Sequence, residues 1–410
     1  MASLKSINQD DLRNHNLSVL LDTILRSQTP LSRAELAKAT GLTKATISLL
    51  VALLLSANIV KEGSPSVPPM HGRPSTPLHL DGRGFCAIGL QINTDGFGFI
   101  ALDIKGDVIA QQWVSEPMED RDPDDIFSRL EDLVRDGEVA IARCKKVIVG
   151  SALALPGLVT EDYRLLSARN LGWENLELKR FNLVRRLNPR IDNEANMAAL
   201  SQIPGFAMQR KEQGLVNPSE SFIYLSTDIG IGGAVVRDGQ IQRGNHGFAG
   251  ELGHISVDLN GPVCQCGRNG CLESYAGRKA LITASGLDPD PASSPSEVMD
   301  ELERRWNLGD AQTLKTMKMA AKALASGLAT TINILDIDKV ILGGLWGRFG
   351  DDLARRIEDQ VNAQILGFPE RQAHVYLSDC NMRPALLGAA QVGLRRLLDN
   401  PLEFILETHD

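Results

Sequence analysis

One imidazole and three thiols crowd a single short stretch: His254, then Cys264-Gln265-Cys266, then Cys271. Nine residues separate the histidine from the first cysteine, and four separate Cys266 from Cys271. Ligands at such spacings converge only if the chain between them doubles back, so a closed loop is expected here. One histidine and three cysteines complete a tetrahedral Zn²⁺ site and leave no open position to activate water. The expected cofactor is therefore structural Zn²⁺, held by His254, Cys264, Cys266 and Cys271. A redox reading of the Cys264/Cys266 pair leaves His254 and Cys271 without a purpose. Glu251 precedes the histidine and Glu273 follows the last cysteine. A metal knot at this place would fix both carboxylates beside one polar pocket.

The 410 residues suffice for two or three domains at roughly 100–200 residues each. No stretch approaches the ~18 consecutive apolar residues of a membrane span, and the first apolar run, Leu17 to Leu25, is broken by Ser18, Asp22 and Thr23. No membrane association is expected. Cys86, Cys144 and Cys380 lie in apolar runs and read as reduced core residues, which places the chain in the cytoplasm. Charge is uneven. Residues 1–80 carry eight basic and five acidic side chains, a net +3, and the remainder carries −11 of the total −8. A basic head on an acidic body suits nucleic-acid binding by the head.

The head has the local signals of a helix-turn-helix. Leu17, Leu20, Leu21, Ile24 and Leu25 share one helical face. Ser32-Arg33-Ala34-Glu35 is a capping box, Gly41 supplies a tight turn, and Thr43 can cap the next helix, whose Ile47, Leu50, Val51 and Leu54 face inward. Lys44, Ala45, Thr46 and Ser48 then lie outward near its start, short or basic enough to enter a major groove. Ile59–Glu62 and Pro77–Leu80 read as wing strands around a Gly72-Arg73-Pro74 tip suited to a minor groove. The predicted DNA contacts are Arg33, Thr43, Lys44, Ala45, Thr46, Ser48 and Arg73. The order of features resembles the winged-helix heads of bacterial repressors.

Beyond residue 81, strand-like runs (85–92, 97–102, 147–153, 222–225, 234–236, 340–342, 375–377) alternate with helical patterns at 126–144 and 311–335. That is an α/β pattern with length for two lobes. Ala249-Gly-Glu251-Leu-Gly-His254, with Cys264-Gln-Cys266-Gly267 and Gly270-Cys271-Leu-Glu273, resembles the signature of the ROK family of repressors, open-reading-frame proteins and sugar kinases. The resemblance spans roughly residues 82–398. It implies a two-lobed actin-like (ribonuclease H-like) sugar-kinase fold behind an N-terminal winged-helix DNA-binding domain. The expected division is a DNA-binding domain at 1–80, a first lobe at 81–192 with a C-terminal helix at 385–410 packing back on it, and a second lobe at 193–384 carrying the zinc site.

The resemblance also implies a sugar site between the lobes. Ala154–Val159 resembles the loop that lines the sugar, and Asn170-Leu-Gly-Trp173 the segment that supplies an asparagine and an aromatic. Asn193, Glu194, Glu251, His254 and Glu273 match the other contacts, Glu194 at the catalytic-base position. Carboxylates, a carboxamide and an imidazole on fixed loops can pair with sugar hydroxyls, and a mismatched epimer would leave buried polar groups unpaired.

The phosphate loops depart from the kinase pattern. Gln91 stands where the kinases have an aspartate, and Asn93-Thr94-Asp95 replaces a Gly-Gly-Thr turn whose amides cradle phosphate. Asp228-Ile229-Gly230 replaces Gly-Thr-Gly. On the adenosine side Gly343-Gly344 is followed by Leu345-Trp346, a bulky pair expected to fill the nucleotide space. These departures predict a non-enzymatic, sugar-responsive regulator, a repressor of carbohydrate-metabolism genes. Its expected partners are operator DNA and a sugar or sugar phosphate effector, and the family resemblance implies a homodimer or homotetramer. The alternative is an active sugar kinase with an added DNA-binding head.

Overall fold

The structure is a computed structural model that describes residues 8–65, 75–208, 214–287, 294–378 and 383–407. Its head is built by α1 (Gln9–Arg26), β1 (Leu31–Ser32), α2 (Arg33–Thr40), α3 (Lys44–Ser56), β2 (Val60–Glu62) and β3 (Pro77–Leu80). The local signals act as read. Ser32 and Glu35 cap each other's backbone, Gly41 takes φ 74°, and the Thr43 hydroxyl accepts the Thr46 amide at 3.1 Å. The three strands form an antiparallel sheet in the order β1-β3-β2. This is a winged helix. Arg73 lies outside the described residues.

The first lobe follows as β4 (Phe85–Asn93), β5 (Gly96–Asp103), β6 (Val108–Ser115), α4 (Pro123–Arg143), β7 (Val147–Leu155), β8 (Leu158–Val159), β9 (Arg164–Ala168), β10 (Trp173–Glu177), α5 (Asn182–Leu187), β11 (Arg190–Asn193) and α6 (Glu194–Ser201). The second contains β12 (Phe222–Thr227), β13 (Ile231–Arg237), β14 (Gln240–Ile241), α7 (Glu273–Ala276), α8 (Arg278–Ala284), α9 (Pro295–Asn307), α10 (Ala311–Leu335), β15 (Lys339–Gly344), α11 (Gly350–Asn362) and β16 (His374–Leu377). Each lobe has one five-stranded sheet, ordered β6-β5-β4-β7-β11 and β14-β13-β12-β15-β16. Both run as an antiparallel meander followed by two parallel strands. The two sheets are thus the same motif used twice, the actin-like arrangement. Their central strands are buried on both faces, which explains the continuous apolar runs in the sequence.

The chain then returns through α12 (Pro384–Asp399) and α13 (Pro401–Glu407), separated at Asn400 because Pro401 offers no amide to continue the helix. Helix α12 lies on β4, β5 and β7 and also against α6. The approach is close because glycines line it. A Cβ on Gly89 would stand 2.5 Å from the Ala390 amide nitrogen and 2.6 Å from the Leu386 carbonyl oxygen. The head has no private core: Leu17, Leu20, Leu25, Leu54 and Leu80 merge with Leu394, Leu398, Leu402, Phe404 and Ile405 of α12–α13 and with Phe85 of β4. Arg395 of α12 reaches Asp22 of α1 through both terminal nitrogens, at 2.7 and 3.2 Å, and the Asn14 amide bonds the Asp399 carbonyl at 3.0 Å.

Two expectations about cysteine need correction or fall away. Cys86 is buried in β4, but Cys144 closes the exposed end of α4 and is itself exposed, because α4 buries only one face and 144 lies off it. Cys380 is outside the described residues. No single helix among the described residues is long and apolar enough to cross a membrane.

Candidate functional site

A cavity of about 740 Å³ separates the lobes, within the usual size of a small-molecule site. Its walls come from places that sequence adjacency does not connect, among them the β4–β5 turn, the Pro156–Leu158 loop, the start of α6, the β12–β13 turn and the loop from Glu251 to Glu273.

The loop between β14 and α7 is short of regular structure and folds as the spacing demands. Ser256 pairs with Cys271 and Val263 with Asn269, so the chain doubles back. One ligand atom each from His254, Cys264, Cys266 and Cys271 falls within 4.8 Å of the others. The Cys266 and Cys271 sulfurs are 3.5 Å apart, and Cys264 Sγ is 3.7 Å from His254 Nδ1. A tetrahedron with metal–sulfur bonds of about 2.3 Å has edges of about 3.8 Å, so this donor set fits a tetrahedral metal ion. Cys264 and Cys271 are buried, and burial raises the pKa of both thiols. A bound cation would reverse that by taking the thiolate.

The same knot aims polar groups at the cavity. His254 turns Nδ1 toward Cys264 and lies with Nε2 3.9 Å from Glu251 Oε2, while Glu273 Oε1 is 3.4 Å from Nδ1. Burial pushes the Glu251 carboxyl upward, and His254 opposes the shift. Asn170, Asn193, Glu194, Glu251, His254 and Glu273 all border the cavity, so the predicted sugar-side residues are brought together. Asn193 is partly occupied: its Oδ1 caps α6 at Ala195 N, 2.8 Å away, and its Nδ2 bonds the Gly157 carbonyl at 3.0 Å. It therefore fixes the Pro156-Gly157 loop as well as facing the cavity.

Trp173 does not border the cavity. It is buried in the first lobe against Phe127, with Nε1 donating to the Arg121 carbonyl at 2.7 Å. Leu345 faces the cavity, whereas Trp346 is turned into the second lobe's core and donates Nε1 to Thr227 Oγ1 at 2.7 Å.

The deep end holds residues that sequence reasoning did not pair. Arg278, at the start of α8, sends Nη1 and Nη2 to the two carboxylate oxygens of Asp95, both at 2.5 Å. The pair joins the second lobe to the first across 183 positions of sequence. Nearby, desolvation and the Asp228 charge push the Glu194 carboxyl up to about 8, and Asp228 is raised too. Gln91 Nε2 approaches Glu194 at 3.4 Å. Arg383 lies over the Trp113 ring, 3.8 Å from its centre. No local motif announces Arg278, Trp113 or Arg383.

In the head, Thr43, Lys44, Ala45 and Ser48 are exposed at the start of α3, and Thr46 is half-buried. Arg33 is held by Glu62 of β2 at 2.6 Å. Leu49, exposed on the same helix, was not anticipated.

A description of the ROK family matches residues 87–395. The chain is 28% identical over 396 residues to a xylose repressor of Bacillus subtilis, covering 95% of this chain and 98% of that protein. It is 28% identical over 312 residues to an N-acetylmannosamine kinase of Haemophilus influenzae, covering 74% of this chain and 97% of the kinase. Its fold resembles that of a ROK family transcriptional regulator, a homologue of the E. coli Mlc protein, with TM-score 0.76 and 22% identity over 97% of this chain and 99% of that one. It also resembles a ROK family glucokinase from Streptomyces griseus crystallised with glucose and AMPPNP, with TM-score 0.61 and 21% identity over 75% of this chain and 98% of that one.

Proposed function

The chain belongs to the ROK family, and from that premise we propose that it is a sugar-responsive transcriptional regulator, a repressor of carbohydrate-metabolism genes. One observation carries the reading. The cavity is lined by the expected sugar-side carboxylates, carboxamides and imidazole, while the turn that stands in place of the kinases' Gly-Gly-Thr holds the Asp95–Arg278 pair. Zinc at His254, Cys264, Cys266 and Cys271 supplies no reaction here. It fixes the loop that presents Glu251, His254 and Glu273. Kinase activity is absent in this reading, although Glu194 keeps a carboxylate at the base position.

The winged helix reads operator DNA through Thr43, Lys44, Ala45, Thr46 and Ser48 of α3, with Arg33 and Arg73 at its flanks. Leu49 adds an apolar surface suited to a thymine methyl. The head spans residues 1–80, the first lobe 81–192 with 385–410, and the second lobe 193–384, so that α6, grouped above with the first lobe's elements, marks the passage between the two. Two heads in a homodimer or homotetramer meet half-sites a whole number of helical turns apart. Sugar closes the lobes and shifts α6. Helix α12, packed on α6, carries the shift through Arg395 and Asp22 to α1. The sugar changes DNA affinity only by binding one lobe arrangement more tightly than the other.

The test uses the full chain. Genomic fragments are selected on it, and their affinity is measured with and without monosaccharides at several salt concentrations. Selective binding that weakens steeply with salt, is lost in Lys44→Ala, and shifts with a sugar is expected. ATP-dependent phosphorylation of a monosaccharide at an enzymatic rate overturns the reading in favour of a kinase with a DNA-binding head.

A further inference from the structure

The end of the cleft where a kinase holds phosphate bears on which sugars can enter. In the Asn93-Thr94-Asp95 turn, Asn93 Oδ1 accepts the Asp95 amide at 3.0 Å. The N–H that a glycine turn would direct at a phosphate is already bonded. The Asp95 carboxylate takes the Arg278 fork at 2.5 Å on both oxygens, and the two side chains are only 23% and 10% exposed. A planar, bidentate, shielded pair of this kind is the strongest arrangement a guanidinium can make with a carboxylate.

Two of the other cations along the cavity are engaged elsewhere, and the third, Arg383, is shared among the acids here. Arg348 is held by Asp300 at 2.7 Å and Glu303 at 3.1 Å. Arg169 donates to the Gln265 carbonyl. Arg383 covers Trp113 and faces Asp95 and Asp228. Among the described residues no lysine lines the cavity. Burial shifts the acids Glu194 and Asp228 toward the neutral form, with the Asp228 charge adding to the shift of Glu194 and the Asp95 charge to that of Asp228. A phosphate dianion entering here must displace Asp95 from Arg278. It then leaves that carboxylate buried near two other acids, with Arg383, already shared with Asp228, as its remaining counter-charge. A neutral sugar needs no such exchange, since its hydroxyls donate to carboxylates and accept from carboxamides.

Resting on the regulator reading above, we propose that the Asp95–Arg278 pair is a specificity determinant that closes the deep end of the cleft to phosphate. It restricts the effector to a neutral, unphosphorylated sugar.

Calorimetric titration and thermal shift on the full chain test this. The neutral probes are xylose, glucose and N-acetylmannosamine. The charged probes are glucose 6-phosphate, ribose 5-phosphate, inorganic phosphate and AMPPNP. For the wild type, at least one neutral probe is expected to bind and raise the melting temperature, and no charged probe at equal concentration. Asp95→Asn keeps the side-chain size and releases Arg278. Its affinity for at least one charged probe is expected to rise by about tenfold or more, the scale of one charge-assisted hydrogen bond. Asp95→Glu keeps the charge and is expected to gain none. Wild-type binding of a sugar phosphate more tightly than its parent sugar overturns the inference and leaves the regulator reading standing. A folded Asp95→Asn that gains no affinity for any charged probe also overturns it. Binding of no neutral or phosphorylated sugar by the wild type overturns both. If Asp95→Asn does not fold, the wild-type panel alone decides.

Discussion

Replacing Gly89 with alanine sets two effects of opposite sign against each other. In the middle of a strand, alanine is favoured over glycine by roughly 0.5–1 kcal/mol, because less backbone freedom is lost on folding. Against this, the new methyl would stand 2.5 Å from Ala390 N, 2.6 Å from Leu386 O and 2.9 Å from Ala390 Cα. Comfortable separations are about 3.5–4.0 Å, so α12 must retreat by about 1 Å. All three obstacles are backbone atoms, and no rotamer change can clear them. A gap of ~0.5–1 Å forfeits a quarter to a half of the dispersion energy across a contact, here along the face that buries Leu386, Ala390 and Leu394. Overpacking of this kind costs ~1–3 kcal/mol, so the net expectation is a loss of about 1–2 kcal/mol. Urea unfolding followed by circular dichroism measures it directly. Gly327→Ala in α10 is the control. Its methyl would meet only the end of the Leu272 side chain, 3.1 Å away, so a change between zero and the helix-propensity gain of ~1 kcal/mol is expected. A Gly89→Ala protein more stable than wild type would refute the claim that α12 is pressed onto the sheet by backbone contact.

Three further outcomes follow from the same geometry. Purified chain should carry one equivalent of zinc by elemental analysis, and Cys266→Ser should lose it together with any sugar-induced thermal stabilisation; full zinc in that variant rules out the tetrahedral assignment. Glu194 has a folded pKa of about 8 against an ordinary 4.5, so the folded state holds the extra proton. Its contribution to stability is complete below about pH 4.5 and declines as pH rises toward about 8. The melting temperature of the unliganded chain should therefore fall less steeply over that window in Glu194→Gln than in wild type, and equal slopes contradict the burial argument. Finally, a double-mutant cycle on Asp22→Asn and Arg395→Gln should give a coupling of roughly 0.5–3 kcal/mol, and additive effects would show that the pair does not tie α1 to α12.

What the sequence disclosed, it disclosed through short-range chemistry. The His254–Cys271 knot and the Ser32/Glu35 and Thr43 caps each lie within one turn or loop, where spacing alone dictates geometry. The sugar-side set was legible through the resemblance to the ROK family, with His254 in the knot and Glu251 and Glu273 beside it. Arg278 was not, since nothing near it in sequence points to Asp95; only the pairing of two lobes brings them together. Whether Trp173 lines the cavity or the core was open in the sequence for a related reason. Its neighbour Asn170 does face the cavity, but the intervening Gly172 at φ 72° turns the chain before the indole, which is buried. Cys144 shows the same weakness at a helix end, where one residue of angular offset separates core from solvent.

The merging of the head's core with α12 and α13 constrains anyone who would exchange heads between regulators of this kind. A cut at residue 80 would strip Leu17, Leu20 and Leu25 of their partners and expose Leu398, Leu402, Phe404 and Ile405 on the body. The transferable cassette is therefore discontinuous: the first helices and the last two helices of the chain travel together. A chimera that honours only the linear boundary inherits a DNA reader whose far side is bare.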